Sequence, residues 1–142
     1  MYPARGFPGG AGMSIPVELS DLATAMAQYR FAYLMTSSAD AAPHAVAVVP
    51  ILEAGALLVH GIGHRTRNNL LVRPAVGLVW PPSSEADYSL IVDGQAEIDG
   101  DALRITPTRA VKHRPAPRAE PVAPGSCGAD CVELALPETE RR

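Results

Sequence analysis

Six short runs of β-type residues fill the middle of the chain, and they constrain its fold more than any other feature. The runs span residues 30–36, 44–52, 56–62, 75–80, 88–98 and 102–106. Valine, isoleucine, leucine and aromatic residues recur in them, and glycine, proline, serine or aspartate separates most of them, which is typical of strands joined by turns. Short connections of this kind favour antiparallel pairing. The pattern predicts a mainly β domain, a six-stranded antiparallel barrel with one or two short helices.

Three segments indicate helix rather than strand. Residues 19–29 place apolar side chains at the spacing of an amphipathic helix. Residues 63–73 predict a loop and then a short helix, which Pro74 ends. After Pro107 we expect a single helical turn, up to residue 113.

Two residues inside the runs indicate irregular strands. Pro50 has no backbone N–H to donate, so the second run is expected at a sheet edge or at a bulge. Gly94 in the fifth run indicates a bulge or a place where another backbone approaches closely.

The distribution of glycine and proline suggests the limits of the domain. The 142 residues include 12 glycines and 14 prolines, and fourteen of these lie in residues 1–16 and 112–142. With 47% hydrophobic and 19% charged residues the chain can build a core, which excludes global disorder. We predict one barrel domain over residues 17–113, a flexible arm over residues 1–16 and a mobile, proline-rich tail over residues 114–142.

Charge and hydropathy exclude several classes of protein. Twelve basic and 15 acidic residues give a net charge of −3, which offers no general attraction to nucleic acid or to an acidic membrane surface. The chain has no run of 18 apolar residues and no apolar segment behind its first residues, so we expect a cytoplasmic protein. Cys127 and Cys131 are the only cysteines, and they suit reduced tail thiols, a small redox loop or half of a metal site.

A basic stretch interrupts this acidic chain. No aspartate or glutamate occurs between residues 54 and 84, whereas this window contains Arg65, Arg67 and Arg73. The first two stand at the predicted start of the short helix, where free backbone N–H groups and the helix dipole attract anions. Arginine binds phosphate through two parallel hydrogen bonds, and Thr66 adds a hydroxyl. The stretch predicts either a phosphate site or a solvated helix face whose arginines bind the domain's own carboxylates.

The histidines suggest acid–base chemistry more than metal binding. His44 and His60 are candidate proton donors, because imidazole titrates near neutral pH, or they are strand residues with a structural hydrogen bond. His60 and His64 are four residues apart, a spacing that suits two zinc ligands only on a helix. Here Gly61 and Gly63 lie between them at the end of a predicted strand, so we predict no metal site.

The order of these elements resembles the pyridoxamine 5′-phosphate oxidase-like split-barrel family over residues 31–105. Three local patterns carry the resemblance: residues 34–36 with 42–46, residues 57–61 with 64–70 and 73–78, and residues 91–97. Members of this family bind flavin or deazaflavin in a groove between two subunits. The resemblance implies a homodimeric oxidoreductase that binds FMN, or a deazaflavin coenzyme, and acts on an unidentified small molecule. A non-catalytic flavin carrier and a cofactor-free interaction module are the alternatives.

The resemblance also implies a set of site residues. Arg65 and Thr66 stand where the family has an arginine and a lysine on the cofactor phosphate, and Arg67 is the expected substitute for that lysine. The cofactor ring is expected to lie against Ala45, Val46, Ala47, Val48, His60, Gly61 and Ser89.

The chain departs from the oxidase itself in further places, and Ser89 stands where the oxidase has a flavin-contacting glutamine. His44 stands where the oxidase has an arginine. The C-terminal extension of the oxidase carries substrate-binding tryptophan and arginine residues, whereas this chain is proline-rich from residue 114 and has no match there. The resemblance therefore implies a small, single-domain member and not a true pyridoxamine phosphate oxidase.

Overall fold

The computed structural model describes residues 12–116, which form one antiparallel sheet and two short α-helices. The elements in chain order are β1 (Met13–Pro16), a 3₁₀ turn (Leu19–Asp21), α1 (Leu22–Met26), β2 (Ala32–Ser37), β3 (Pro43–Val48), β4 (Ile51–Glu53), β5 (Ala56–His60), α2 (His64–Val72), β6 (Ala75–Trp80), β7 (Ser89–Asp99) and β8 (Ala102–Arg114). No helix within these residues is long and apolar enough to cross a membrane. Cys127 and Cys131, and most of both predicted terminal segments, lie outside the described residues.

The strand order explains why the sheet curls into a barrel. The strands pair in the order β3-β2-β6-β7-β8-β5-β4, and β1 adds to β8 beside β5. The two strands at the ends of this path, β3 and β4, are consecutive in the chain and are joined by Val49 and Pro50 alone. Because two residues span only a few ångströms, the two ends of the sheet must lie side by side. The mainly β, antiparallel split barrel is therefore confirmed, with eight strands in place of the predicted six.

The two additional strands arise at the places where the sequence pattern is irregular. The second run divides at the buried Pro50, so that β3 pairs with β2 while β4 pairs with β5. A proline suits this position because the chain leaves one edge of the sheet there and needs no backbone donor. Met13–Pro16, which belongs to the predicted N-terminal arm, forms β1 on the last residues of β8.

The helical turn expected after Pro107 is wrong, because β8 continues through it to Arg114. Pro107 lies opposite Gly94, where the register between β7 and β8 shifts. A bulge tolerates a proline because the ladder loses no regular hydrogen bond there. The prediction of close approach at Gly94 is confirmed, since a Cβ there would lie 2.7 Å from the Thr106 carbonyl oxygen.

Alternation along β2 separates the core from the outer face of the sheet. Ala32, Leu34 and Thr36 are buried, whereas Tyr33 and Met35 are 43% and 41% exposed. Helix α2 packs against the inner side of β2 through its buried residues, and Asn69 Nδ2 donates a 2.9 Å hydrogen bond to Thr36 Oγ1. This buried bond fixes α2, and with it the start of the helix, relative to the barrel.

Candidate functional site

A cleft of about 570 Å³ lies between the edge strand β3 and the connection from β5 to α2. We call it the main cleft. One wall consists of His44, Val46, Ala47, Val48 and Val49, with Phe31 beside them, and the other of Val59, His60, Gly61, Ile62, Gly63, His64, Arg65 and Thr66. In the described chain β3 pairs with β2 alone, so its other edge presents unpaired backbone N–H and C=O groups.

The start of α2 forms the polar end of the main cleft. Gly63 is the N-cap residue and provides no side chain to cap the helix. The first backbone bond of this turn runs from the Arg67 N–H to the Gly63 carbonyl at 3.0 Å. The N–H groups of residues 64–66 therefore have no intrahelical partner, and the positive end of the helix dipole lies at the cleft. Gly61 makes the turn into this segment with φ +72°, a conformation that favours glycine.

The three arginines of the basic stretch have different roles. Arg67 Nη2 donates a 2.8 Å hydrogen bond to the Gly100 carbonyl, which holds the guanidinium at the β7–β8 turn. Arg73 donates to the carbonyls of residues 38 and 39 at 2.8 and 3.0 Å. Arg65 lines the main cleft and is exposed, and its side chain forms no hydrogen bond or ion pair with any residue in 12–116. Of the three, Arg65 is therefore the one available to a ligand.

Seven of the ten residues proposed from the resemblance line the main cleft, and three do not. The seven are Val46, Ala47, Val48, His60, Gly61, Arg65 and Thr66. Ala45 is exposed and pairs with Met35, whose side chain is on the outer face of the sheet. Ser89 begins β7 opposite His113, away from the cleft. Arg67 is bound at the β7–β8 turn, and the Thr66 side chain is only 2% exposed.

The charge of the main cleft is positive. No aspartate or glutamate lines it, whereas Arg65 and three histidines do. Neither His44 nor His60 forms a side-chain hydrogen bond within residues 12–116, so both imidazoles are open to a ligand in the cleft. Over the same residues no group of three or more His, Cys, Asp and Glu side chains could hold a metal ion.

Phe31 and Val49 belong to the main cleft but were not identified from the sequence. They lie one residue beyond the pairing of Ala32 with Val48, at the open end of the β2–β3 hairpin. The register of that hairpin is the signal that could have found them. Antiparallel neighbours at a hairpin end lie opposite each other, so assigning Val48 to the site also implicates the residues next to this pair.

The chain has relatives of substantial identity. No protein-family model matches it. An uncharacterised protein of Mycobacterium bovis and one of Mycobacterium tuberculosis are each 41% identical to it over 137 residues, which cover 85% of this chain and 96% of each relative.

Solved structures of low identity share the barrel. An FAD-binding protein from Mesorhizobium loti is 12% identical with a TM-score of 0.59, and the match covers 77% of this chain and 100% of that one. An F420 reductase is 15% identical with a TM-score of 0.53, and the match covers 61% of this chain and 93% of that one. A protein from Listeria innocua named for pyridoxamine 5′-phosphate oxidase is 14% identical with a TM-score of 0.54, and the match covers 66% of this chain and 96% of that one. The chain thus belongs to one family with the two mycobacterial proteins, and its fold is the split barrel of the pyridoxamine 5′-phosphate oxidase-like proteins.

Proposed function

We propose that the chain is a cytoplasmic oxidoreductase that binds FMN in the main cleft and acts on an unidentified small molecule. The observation that supports this most is the uncapped start of α2 beside Arg65, in a cleft without acidic residues. Free helix N–H groups and an unpaired guanidinium are the groups that bind a phosphate. The cleft volume of about 570 Å³ lies in the range of small-molecule sites.

The walls of the main cleft suit the ring of a flavin. The inner side of β3 provides the aliphatic side chains of Val46 and Val48, and its unpaired edge provides backbone donors and acceptors for the polar edge of the ring. A bound flavin would supply the hydride or electron transfer, while the protein binds and orients it. His44 and His60 are placed to hold or move a proton at the cleft.

The solved structures that share the fold support a cofactor of the flavin type, because two of them are named for FAD binding and for F420. A deazaflavin-dependent reductase is the alternative that the second of these favours. Both cofactors carry phosphate, so the start of α2 would serve either. A non-catalytic flavin carrier is the remaining alternative.

The visible spectrum of the purified protein, followed by titration of the cofactor-free protein, tests the binding. We expect bound or added FMN to give flavin bands that are released on denaturation. Arg65→Ala should weaken FMN binding about 10- to 100-fold, the loss of one or two charge-assisted hydrogen bonds, and should leave riboflavin binding unchanged. Arg67→Ala is the matched control, because its guanidinium is bound to Gly100, and it should change neither affinity.

Three results would count against this proposal. A colourless protein that binds neither FMN nor a deazaflavin would refute the cofactor. Equal losses for FMN and riboflavin in Arg65→Ala would refute the phosphate assignment. To separate enzyme from carrier, the reduced bound cofactor is mixed with a quinone or a nitro compound. If the bound reduced cofactor is oxidised no faster than free reduced cofactor, the protein is a carrier and not an enzyme.

We also propose that the protein is a homodimer that pairs through the outer face of its sheet. Tyr33 and Met35 expose apolar side chains there, and the small residues Ala45 and Ala47 lie opposite them on β3. Covering this face with a second copy would bury these side chains. Light scattering should give twice the chain mass, and Met35→Glu should give the single mass. Leu71→Glu, on an apolar residue 71% exposed on α2, should remain dimeric. A monomeric wild-type protein would refute the pairing.

A further inference from the structure

A second cleft, of about 610 Å³, opens at the barrel end where β6 stops and β7 begins. We call it the rim cleft. Its walls come from four separate parts of the chain: residues 28–31 after α1, residues 81–83 after β6, residues 87–88 before β7, and Lys112 on β8. Phe31 lines both clefts, so the rim cleft adjoins the main cleft.

The aromatic walls of the rim cleft are held in place. The Tyr29 hydroxyl donates a 2.8 Å hydrogen bond to the Tyr88 carbonyl. Partial burial, and then the neighbouring Asp87 carboxylate, raises the pKa of Tyr29, so this hydroxyl remains protonated at neutral pH. The guanidinium carbon of Arg114 lies 4.5 Å from the centre of the Tyr88 ring, and its Nη1 donates to the Ala86 carbonyl at 2.8 Å. Tyr88 is therefore fixed from two directions, as a wall that a planar ligand can pack against.

The acidic side chain of the rim cleft has hydrogen-bond partners, whereas its two basic side chains have none in the described residues. The Asp87 carboxylate accepts hydrogen bonds from the hydroxyls of Ser83 and Ser84, both at 3.2 Å. Arg30 and Lys112 line the same cleft, and their side chains form no hydrogen bond or ion pair with any residue between 12 and 116. The acidic group thus already has partners in its own loop, whereas two cations remain open to a ligand.

We propose that the rim cleft is a second ligand site, which binds a small aromatic carboxylate. Tyr29, Phe31 and Tyr88 provide the surface for its ring, and Arg30 and Lys112 bind its carboxylate. Two cations and one carboxylate leave a net charge of +1 in the cleft, which suits a single negative charge better than a phosphate dianion. The site needs no flavin in the main cleft, so it goes beyond the function proposed above.

Titration of the full chain, without added cofactor, with 4-nitrobenzoate tests this site. Trp80 is the only tryptophan, is 2% exposed and directly precedes Pro81 of the cleft wall. A nitroaromatic bound there should quench its fluorescence saturably, because a buried indole is shielded from collisions in solution. We expect a dissociation constant of about 1 mM or below. The neutral isostere 4-nitrobenzamide should bind about tenfold more weakly, as expected when a charge-assisted hydrogen bond is lost.

Matched variants separate the rim cleft from other sites. Arg30→Gln and Lys112→Gln should each weaken 4-nitrobenzoate about tenfold. Arg104→Gln removes the same charge from the part of β8 that pairs with Glu97, outside both clefts, and should have no effect. Arg65→Ala should also have no effect, which distinguishes this site from the main cleft.

Several outcomes would overturn the proposal. Absence of saturable quenching, or equal affinity for the carboxylate and the amide, would show that no carboxylate site exists at this end of the barrel. Losses in Arg30→Gln and Lys112→Gln no larger than in Arg104→Gln would show that the two cations do not bind the ligand. A loss in Arg65→Ala would move the ligand to the main cleft. Failure to bind FMN would leave this result unaffected.

Discussion

The buried hydrogen bond between Asn69 and Thr36 is the most direct test of how the barrel positions the start of α2. Asn69 Nδ2 donates to Thr36 Oγ1 at 2.9 Å, and the two residues are 5% and 3% exposed. Water cannot replace either partner readily at this depth. The bond joins β2 to the helix whose first turn lines the main cleft.

Removing both partners should cost less than the sum of the two separate removals. Thr36→Val keeps the shape of the side chain and leaves the Asn69 amide without its acceptor. A buried polar group without a partner costs about 1–3 kcal/mol. Asn69→Leu in turn leaves the Thr36 hydroxyl without its donor, at a similar cost. In the double variant both groups are apolar, so its loss should be smaller than the sum of the single losses by about 1–2 kcal/mol.

Urea unfolding, followed by the fluorescence of Trp80, measures the free energy of unfolding of the wild type, the two single variants and the double variant. For a domain of this size a loss of 1 kcal/mol corresponds to a fall in melting temperature of about 4–8 °C. The m-values should remain equal, because the surface exposed on unfolding does not change. If the losses of the single variants add in the double variant, the two side chains are not coupled and the positioning of α2 through this bond is refuted.

Two further predictions concern the β7–β8 bulge and the rim cleft. Gly94→Ala should destabilise the fold by about 1–3 kcal/mol, because the added Cβ would lie 2.7 Å from Ile105 Cγ2 and from the Thr106 carbonyl oxygen. Gly77→Ala is the control in the same urea assay: its Cβ would meet only the flexible end of Met35 at 3.4 Å, so it should be neutral or slightly stabilising. Equal stabilities of the two variants would contradict the close approach at Gly94. The raised pKa of Tyr29 favours its neutral form in the folded state, so its contribution is complete below pH 10 and is lost as the pH rises through the higher folded pKa. Tyr29→Phe should therefore remove part of the alkaline loss of stability in a pH series of melting temperatures, and an unchanged alkaline slope would contradict this assignment.

The strands that alternate locally could be predicted from the sequence, and those that depend on distant partners could not. All six predicted runs contain strands, because their β-type residues are bounded by local turn signals. Met13–Pro16 has four residues and becomes a strand by pairing with residues 111–114, about a hundred positions away. The extension of β8 past Pro107 depends in the same way on the bulge at Gly94. The partner of Met13–Pro16 leaves no mark in the local pattern, and Gly94 marks the bulge without showing that β8 continues opposite it.

The same distinction applies to the site residues. Arg65 could be placed because a helix start is a local feature. Arg67 could not be excluded, since its partner is the carbonyl of Gly100, 33 residues further along the chain. Alternation along a strand could have separated Ala45 from Val46 and Val48, because successive side chains lie on opposite faces. It would not have shown that Ala47, on the same face as Ala45, also lines the main cleft. The rim cleft combines four distant segments and has no sequence signature of its own.

The bonds made by the arginines bear on the two interpretations that the basic stretch allowed. A solvated helix face would bind the domain's own carboxylates, yet Arg67 and Arg73 bind backbone carbonyls, and the one ion pair among residues 12–116 joins Arg109 to Asp93 on other strands. The side chains of Arg67 and Arg73 thus stabilise turns, whereas the Arg65 side chain has no hydrogen bond or ion pair in that part of the chain. The Arg65 guanidinium lies beside uncapped helix N–H groups in a cleft without acidic residues. Replacing Arg65 should therefore leave the melting temperature unchanged while it weakens the binding of a phosphate-bearing ligand, and a loss of stability as large as that of Arg73→Ala would assign it a structural role instead.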